Sequence, residues 1–309
     1  VDMQMRLLDW VLLFLLSLIW GGSFYFTEIA LQEVTPLVTV WARVGLAALM
    51  LWLFLYFKGG KIPKDKKLWV ALLVMGVLNN AIPFSLIVWG QVAISGSLAS
   101  IFNATTPLFT IILAQFLTSD EKLSPRKFLG LILGFCGVVF MVGIEALNGL
   151  SGVVWAQVAI LLAAVSYGFA AIWGRRFKGV DPMVTACGQV TCSGLVMTPL
   201  ALVWGFPQGY FVPSSDVLWA LGLIALLCTV LAYILYFKIL ATSGATNLML
   251  VTFLVPLSAI VLGSSLLGER LEGNQIAGML VVLLSLLLID GRLFHVFSSF
   301  RNRRKSRTG

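Results

Sequence analysis

Ten stretches of about twenty mostly apolar residues, the length needed to cross the hydrocarbon core of a bilayer, follow one another along the chain. They fall at residues 9–30, 36–57, 68–90, 96–117, 125–144, 152–173, 182–204, 217–240, 245–267 and 272–289. Apolar residues make up 60% of the chain and charged residues 11%, less than half the charge a water-solvated domain carries. The reading is an all-α integral membrane protein with ten transmembrane helices. The first stretch runs past Trp20 to Ala30 without a small-residue cleavage site, so it is expected to stay as a helix.

Loop charge tests this count. If residue 6 lies in the cytoplasm, every one of the 21 basic residues except Arg43 and Arg270 falls in a cytoplasmic stretch or at its edge. That asymmetry orients the chain by the positive-inside rule, with both termini cytoplasmic. The net charge of +8 is therefore a matter of topology, and nucleic acid is not an expected partner. The basic tail, residues 293–309, is expected to meet anionic lipid headgroups.

The two halves resemble each other. Pro36-Leu-Val-Thr aligns with Pro182-Met-Val-Thr at an offset of 146, and this sets Arg43 against Gln189. Ser95-Gly96 aligns with Ser243-Gly244 and Glu121 with Glu269 at 148, and Pro107 with Pro256 at 149. Each unit holds five helices, an odd number, so the second enters the membrane upside down. The units are residues 6–146 and 150–292, two inverted five-helix repeats, and such repeats place a substrate site where the halves meet.

Several features resemble the ten-helix EamA-type members of the drug/metabolite transporter superfamily. They are Trp20-Gly-Gly-Ser-Phe24, Ala42-Arg43, Pro107, Pro256, Glu121, Glu269 and the glycines between Gly130 and Gly143. Within it the likeness is greatest to YddG-type exporters of aromatic and other amino acids. The resemblance implies a multi-pass protein of the bacterial inner membrane that exports neutral amino acids and similar metabolites. It also implies a pathway lined by all helices except the fifth and tenth.

Arg43 is the basic residue deepest inside a stretch, and it either meets a substrate carboxylate or snorkels and bonds to neighbouring carbonyls. Pro83, Pro107 and Pro256 interrupt helices and are expected to free the carbonyls of Asn79, Asn103 and Thr252. At membrane depth such groups are tolerated only against protein or a watery cavity. Trp20, Phe102, Tyr167 and Tyr233 lie deeper than the tryptophans of the interface belt, with Ser166 beside Tyr167 and Asn80 beside Asn79. Together these residues define the candidate substrate site, and helix packing is the competing reading for each aromatic.

His295 lies in the tail, and the cysteines Cys136, Cys187, Cys192 and Cys228 have no metal spacing. No catalytic residue, metal site or cofactor is expected, and an integral-membrane enzyme or a sensor falls behind transport. All 13 acidic residues lie in tails, loops or near helix ends. The simplest scheme is therefore alternating access about a neutral site, uncoupled from protons. A sugar phosphate would want more buried cations than Arg43, which leaves export of lipophilic drugs as the rival. The sequence leaves the oligomeric state open, a monomer included.

Overall fold

The computed structural model describes residues 5–143, 151–207 and 209–290, and no strand occurs among them. The helices are α1 Leu7–Ala30, α2 Pro36–Phe57, α3 Lys66–Gly90, α4 Gly96–Leu117, α5 Pro125–Val142, α6 Gly152–Phe177, α7 Pro182–Trp204, α8 Ser215–Gly244, α9 Val251–Leu267 and α10 Gly273–Asp290. All but α9 have the length and hydropathy to cross a bilayer on their own, and α9 is the shorter apolar helix. Residue 144, the basic tail and the ends of both expected repeats lie outside the described residues.

Side-chain caps start most helices. Thr35, Ser95, Ser124 and Ser151 accept the backbone N–H three residues on, at the starts of α2, α4, α5 and α6. Asp65 and Asp181 accept the N–H two residues on, at α3 and α7. Pro36, Pro125 and Pro182 follow their caps in the first turn, where a missing N–H costs nothing.

Four helices depart from regular α geometry. Widened π-helical turns occupy Val77–Ala81 of α3, Leu226–Leu231 of α8 and Gly263–Leu267 at the end of α9. The first two are counterparts in the repeat, and a proline stands near the first only. In α4 the helix breaks at Ala104–Thr105 between Gly96–Asn103 and Thr106–Leu117. The ninth span was expected to start at residue 245, and the chain does break there: Gly244 adopts φ 76°, residues 245–248 form a short helical turn, and the main helix follows from Val251.

The main contacts between halves follow the pseudo-twofold relation. The pairs α2–α7 and α5–α10 map onto themselves when five is added to a helix number, and α1–α9 maps onto α6–α4. The tightest pairing is α5–α10. There a Cβ on Gly137 would come within 2.8 Å of the Gly278 carbonyl oxygen, so these backbones touch because nothing larger intervenes.

Candidate functional site

Between the halves lies a cavity of about 780 Å³, within the range that small-molecule sites occupy. Residues of α1, α2, α3, α4, α6, α7, α8 and α9 line it, and none of its lining belongs to α5 or α10. At the side where α1 begins, exposed Arg175 and Lys178 form part of its mouth. Toward the far side the lining ends at Thr27, Gln91 and Ser100, all buried.

Bonds between elements close the far side. The Ser97 amide donates to Glu269 at 3.0 Å, the Thr35 hydroxyl to the Gly205 carbonyl at 2.8 Å, and the Ser214 amide to Glu33 at 2.7 Å. Glu28 accepts from the Gly96 amide. At the mouth, Arg175 of α6 holds Asp120 at 2.8 Å and also pairs with Glu121.

Arg43 projects from α2 into the wall and is 9% exposed. Its Nε donates to Thr229 Oγ1 at 3.1 Å, Nη1 to Ser23 Oγ at 3.1 Å and Nη2 to the Cys228 carbonyl at 3.3 Å. The Phe84 ring lies 3.8 Å beneath the guanidinium carbon. Three of the five N–H donors of a guanidinium are thus used. No acidic side chain lines the cavity among the described residues.

Gln189, the repeat counterpart of Arg43, also lines the cavity and accepts from Asn79 Nδ2 at 3.0 Å. Asn79 Nδ2 also donates to Tyr233 Oη at 3.3 Å, and Tyr233 donates to Asn80 Oδ1 at 3.0 Å. Each second helix of a repeat therefore reaches the π-helical turn of the other half. Arg43 does so at Cys228 and Thr229, Gln189 at Asn79. The sequence match of Pro36 with Pro182 already carried this signal for Gln189, which residue-by-residue reading missed.

Of the residues singled out in the sequence, Trp20, Arg43, Asn79, Asn103, Tyr167, Tyr233, Thr252 and Pro256 line the cavity. Phe102, Asn80, Ser166, Pro83 and Pro107 do not. Phe102 is fully buried among apolar side chains. The alternation of faces along α4 turns it inward while Asn103 meets the cavity. Asn80 is fully buried behind the wall, and Ser166 donates to the Leu78 carbonyl at 2.7 Å inside the π-helical turn. The Asn103 carbonyl, expected free four residues before Pro107, accepts the Thr106 hydroxyl at 2.8 Å. Its side-chain oxygen Oδ1 is buried without a bonding partner. Further wall residues not singled out in the sequence include Ser23, Phe84, Gln91, Thr229 and Tyr236. Tyr236 packs on Trp20 with ring centroids 6.0 Å apart.

Ten apolar helices in two inverted halves, with a cavity between them, define a polytopic membrane transporter. The chain belongs to the EamA-like transporter family, whose model matches residues 9–143 and 154–290. It is similar to an uncharacterized transporter of Bacillus subtilis, YoaV, at 23% identity over 86% of this chain and 91% of that one. It is also similar to an uncharacterized inner membrane transporter of Escherichia coli, YedA, at 24% identity over 90% and 89%. Protein PecM of Dickeya dadantii is 26% identical over 93% of this chain and 92% of its own. A protein of known crystal structure shares the fold with a TM-score of 0.66 over 92% of this chain and 98% of that one, at 15% identity.

Proposed function

We propose that the protein exports neutral amino acids, aromatic ones foremost, across the bacterial inner membrane. One observation carries this reading: Arg43 is a buried cation in the cavity wall with no carboxylate beside it. A buried charge is stable when paired, and a substrate carboxylate meeting the two remaining N–H groups would pair it. Trp20, Phe84, Tyr167, Tyr233 and Tyr236 offer an aromatic wall to an apolar side chain. The unpartnered Asn103 Oδ1 offers an acceptor to the substrate ammonium.

The positive-inside rule puts the mouth beside Arg175 and Lys178 in the cytoplasm, with both termini on that side. The cavity is then loaded from the cytoplasm, and rocking of the halves releases substrate outside. With no carboxylate or histidine in the described lining, substrate runs down its own gradient and no proton is needed at the binding site.

The test is uptake into proteoliposomes of phenylalanine, of phenethylamine, which lacks the carboxylate, and of lipophilic cationic dyes. Phenylalanine should be carried and phenethylamine should not. Arg43→Gln should cut phenylalanine transport by roughly a hundredfold, the scale of losing a charge-assisted bond in a dry site. Dye transport that persists in Arg43→Gln, with no amino acid carried by the parent, would make the protein a drug exporter instead.

A further inference from the structure

Gln91 closes the blind end of the cavity and is 7% exposed. Its Nε2 donates to the Phe24 carbonyl at 3.0 Å, so the amide cannot turn over without losing that bond. Its Oε1 is buried and has no bonding partner. Three donors at this end of the cavity are already spent. Thr27 gives its hydroxyl proton to the Ser23 carbonyl at 2.7 Å, Ser100 gives its own to the Ser97 carbonyl at 2.7 Å, and the Gly96 amide is taken by Glu28. A buried amide oxygen left in this state costs free energy until a donor reaches it.

Depth along the helices says what kind of donor can reach it. Ser23 lies seven residues from Ala30, Arg43 seven from Pro36, Phe84 seven from Gln91 and Asn103 seven from Gly96. Ser23 and Phe84 both touch Arg43, so these positions share one level in the membrane. Gln91 stands beyond that level by seven residues of its own helix, about 10 Å at 1.5 Å per residue. An amino acid held at Arg43 by its carboxylate, with its side chain toward the blind end, brings the tip of an aromatic ring within hydrogen-bond reach, about 3 Å, of Gln91.

We propose that Gln91 Oε1 is a specificity-determining acceptor for the far tip of the substrate side chain. Aromatic amino acids that end in a donor, the tyrosine hydroxyl or the tryptophan indole N–H, are then carried in preference to phenylalanine. This rests on the reading of Arg43 as the carboxylate anchor. A polar group built to meet a donor discriminates strongly against an analogue that lacks it, because the group is then left unpaired.

The experiment measures initial uptake of tyrosine, tryptophan and phenylalanine at low concentration in proteoliposomes holding the parent, Gln91→Leu or Gln91→Met. Both variants remove the acceptor and keep a side chain of similar length, but they differ in shape. The tyrosine-to-phenylalanine uptake ratio should fall roughly five- to tenfold in both, the scale of one neutral hydrogen bond. A ratio unchanged in both variants, or uptake of all three falling together, overturns the proposal. A parent that carries phenylalanine without any effect at Gln91 overturns this inference alone. A parent that carries none of the three overturns the anchor reading with it.

Discussion

Arg175 meets Asp120 and Glu121 where the cavity opens, so this charge at the mouth is paired while that of Arg43 in the wall has no carboxylate beside it. The hydrogen bond from Arg175 holds the Asp120 carboxyl below the usual carboxylate range. A carboxyl depressed in the folded protein contributes stability above its ordinary range and loses it as pH falls through the lowered value. The pair should therefore persist at neutral and mildly acidic pH and dissolve only in stronger acid. Arg175→Gln should return the Asp120 titration midpoint upward to ordinary carboxylate values, followed by carboxyl-carbon NMR of aspartate-labelled protein. An unmoved midpoint would show that Arg175 is not the cause. Both partners are well exposed, so the bond is a feature of the mouth and contributes little to global stability.

At the scale of helices, α1 crosses α9 so closely that a Cβ on Gly21 would lie 2.7 Å from Ser258 Cβ and 2.8 Å from the Ala259 nitrogen. Those atoms are backbone and Cβ, with no flexible end to swing aside. Gly21→Ala should cost about 1–3 kcal/mol, the range for overpacking, seen as a lower Tm in detergent. Gly222→Ala in α8, where nothing lies within 4 Å of the added atom, should not lower Tm and should raise it slightly, as alanine favours a helix over glycine. An equal shift in both would show that helix crossing is not what Gly21 serves.

What could be read from the chain follows the same division. The helices were plain because hydropathy, joined at most starts by a cap or proline, acts locally, as at Thr35-Pro36 and Asp181-Pro182. The π-helical turns were hidden, because the turn in α8 has no proline or other local mark. The start of the ninth span was legible in Ser243-Gly244, which matches Ser95-Gly96: the chain breaks at Gly244 and turns helical again at residue 245, and the main helix follows from Val251. In the wall, residue type pointed to Arg43, Asn79 and Tyr233. Which face each side chain takes depends on partners more than a hundred residues away, so Phe102 and Asn80 could not be told apart from them.

The whole molecule is caught with its repeats in unequal poses. Glu269 caps α4 at the Ser97 amide, whereas its counterpart Glu121 is held by Arg175. At the same offset of 148, the counterpart of Ser97 is Ala245. In the oppositely facing state the roles should exchange, with Glu121 reaching the Ala245 backbone and Glu269 released. In a cysteine-free background, Glu121→Cys with Ala245→Cys should join through a short crosslinker and trap a cavity open on the far side. Ser97→Cys with Glu269→Cys should trap the cavity in its present facing. If the first pair never joins while the second does, the exchange of poses is wrong.

The α1–α9 contact also bears on how the molecule is made. Ser17 of α1 meets the Ser258 hydroxyl at 3.2 Å, across 241 residues of chain. The ribosome delivers α1 first, and its polar stripe of Ser17, Ser23 and Thr27 has no helix of the second repeat to face until α8 and α9 emerge. Ser17 and Thr27 turn back on their own helix even in the finished protein, at the Phe14 and Ser23 carbonyls, and Ser23 accepts from Arg43 of α2 in the same half. A nascent first half thus keeps the Ser17 and Thr27 hydroxyls satisfied, while Arg43 waits for Thr229 and the Cys228 carbonyl of α8, and the interlocked pairing of the repeats makes the last helices synthesised the ones that complete the first.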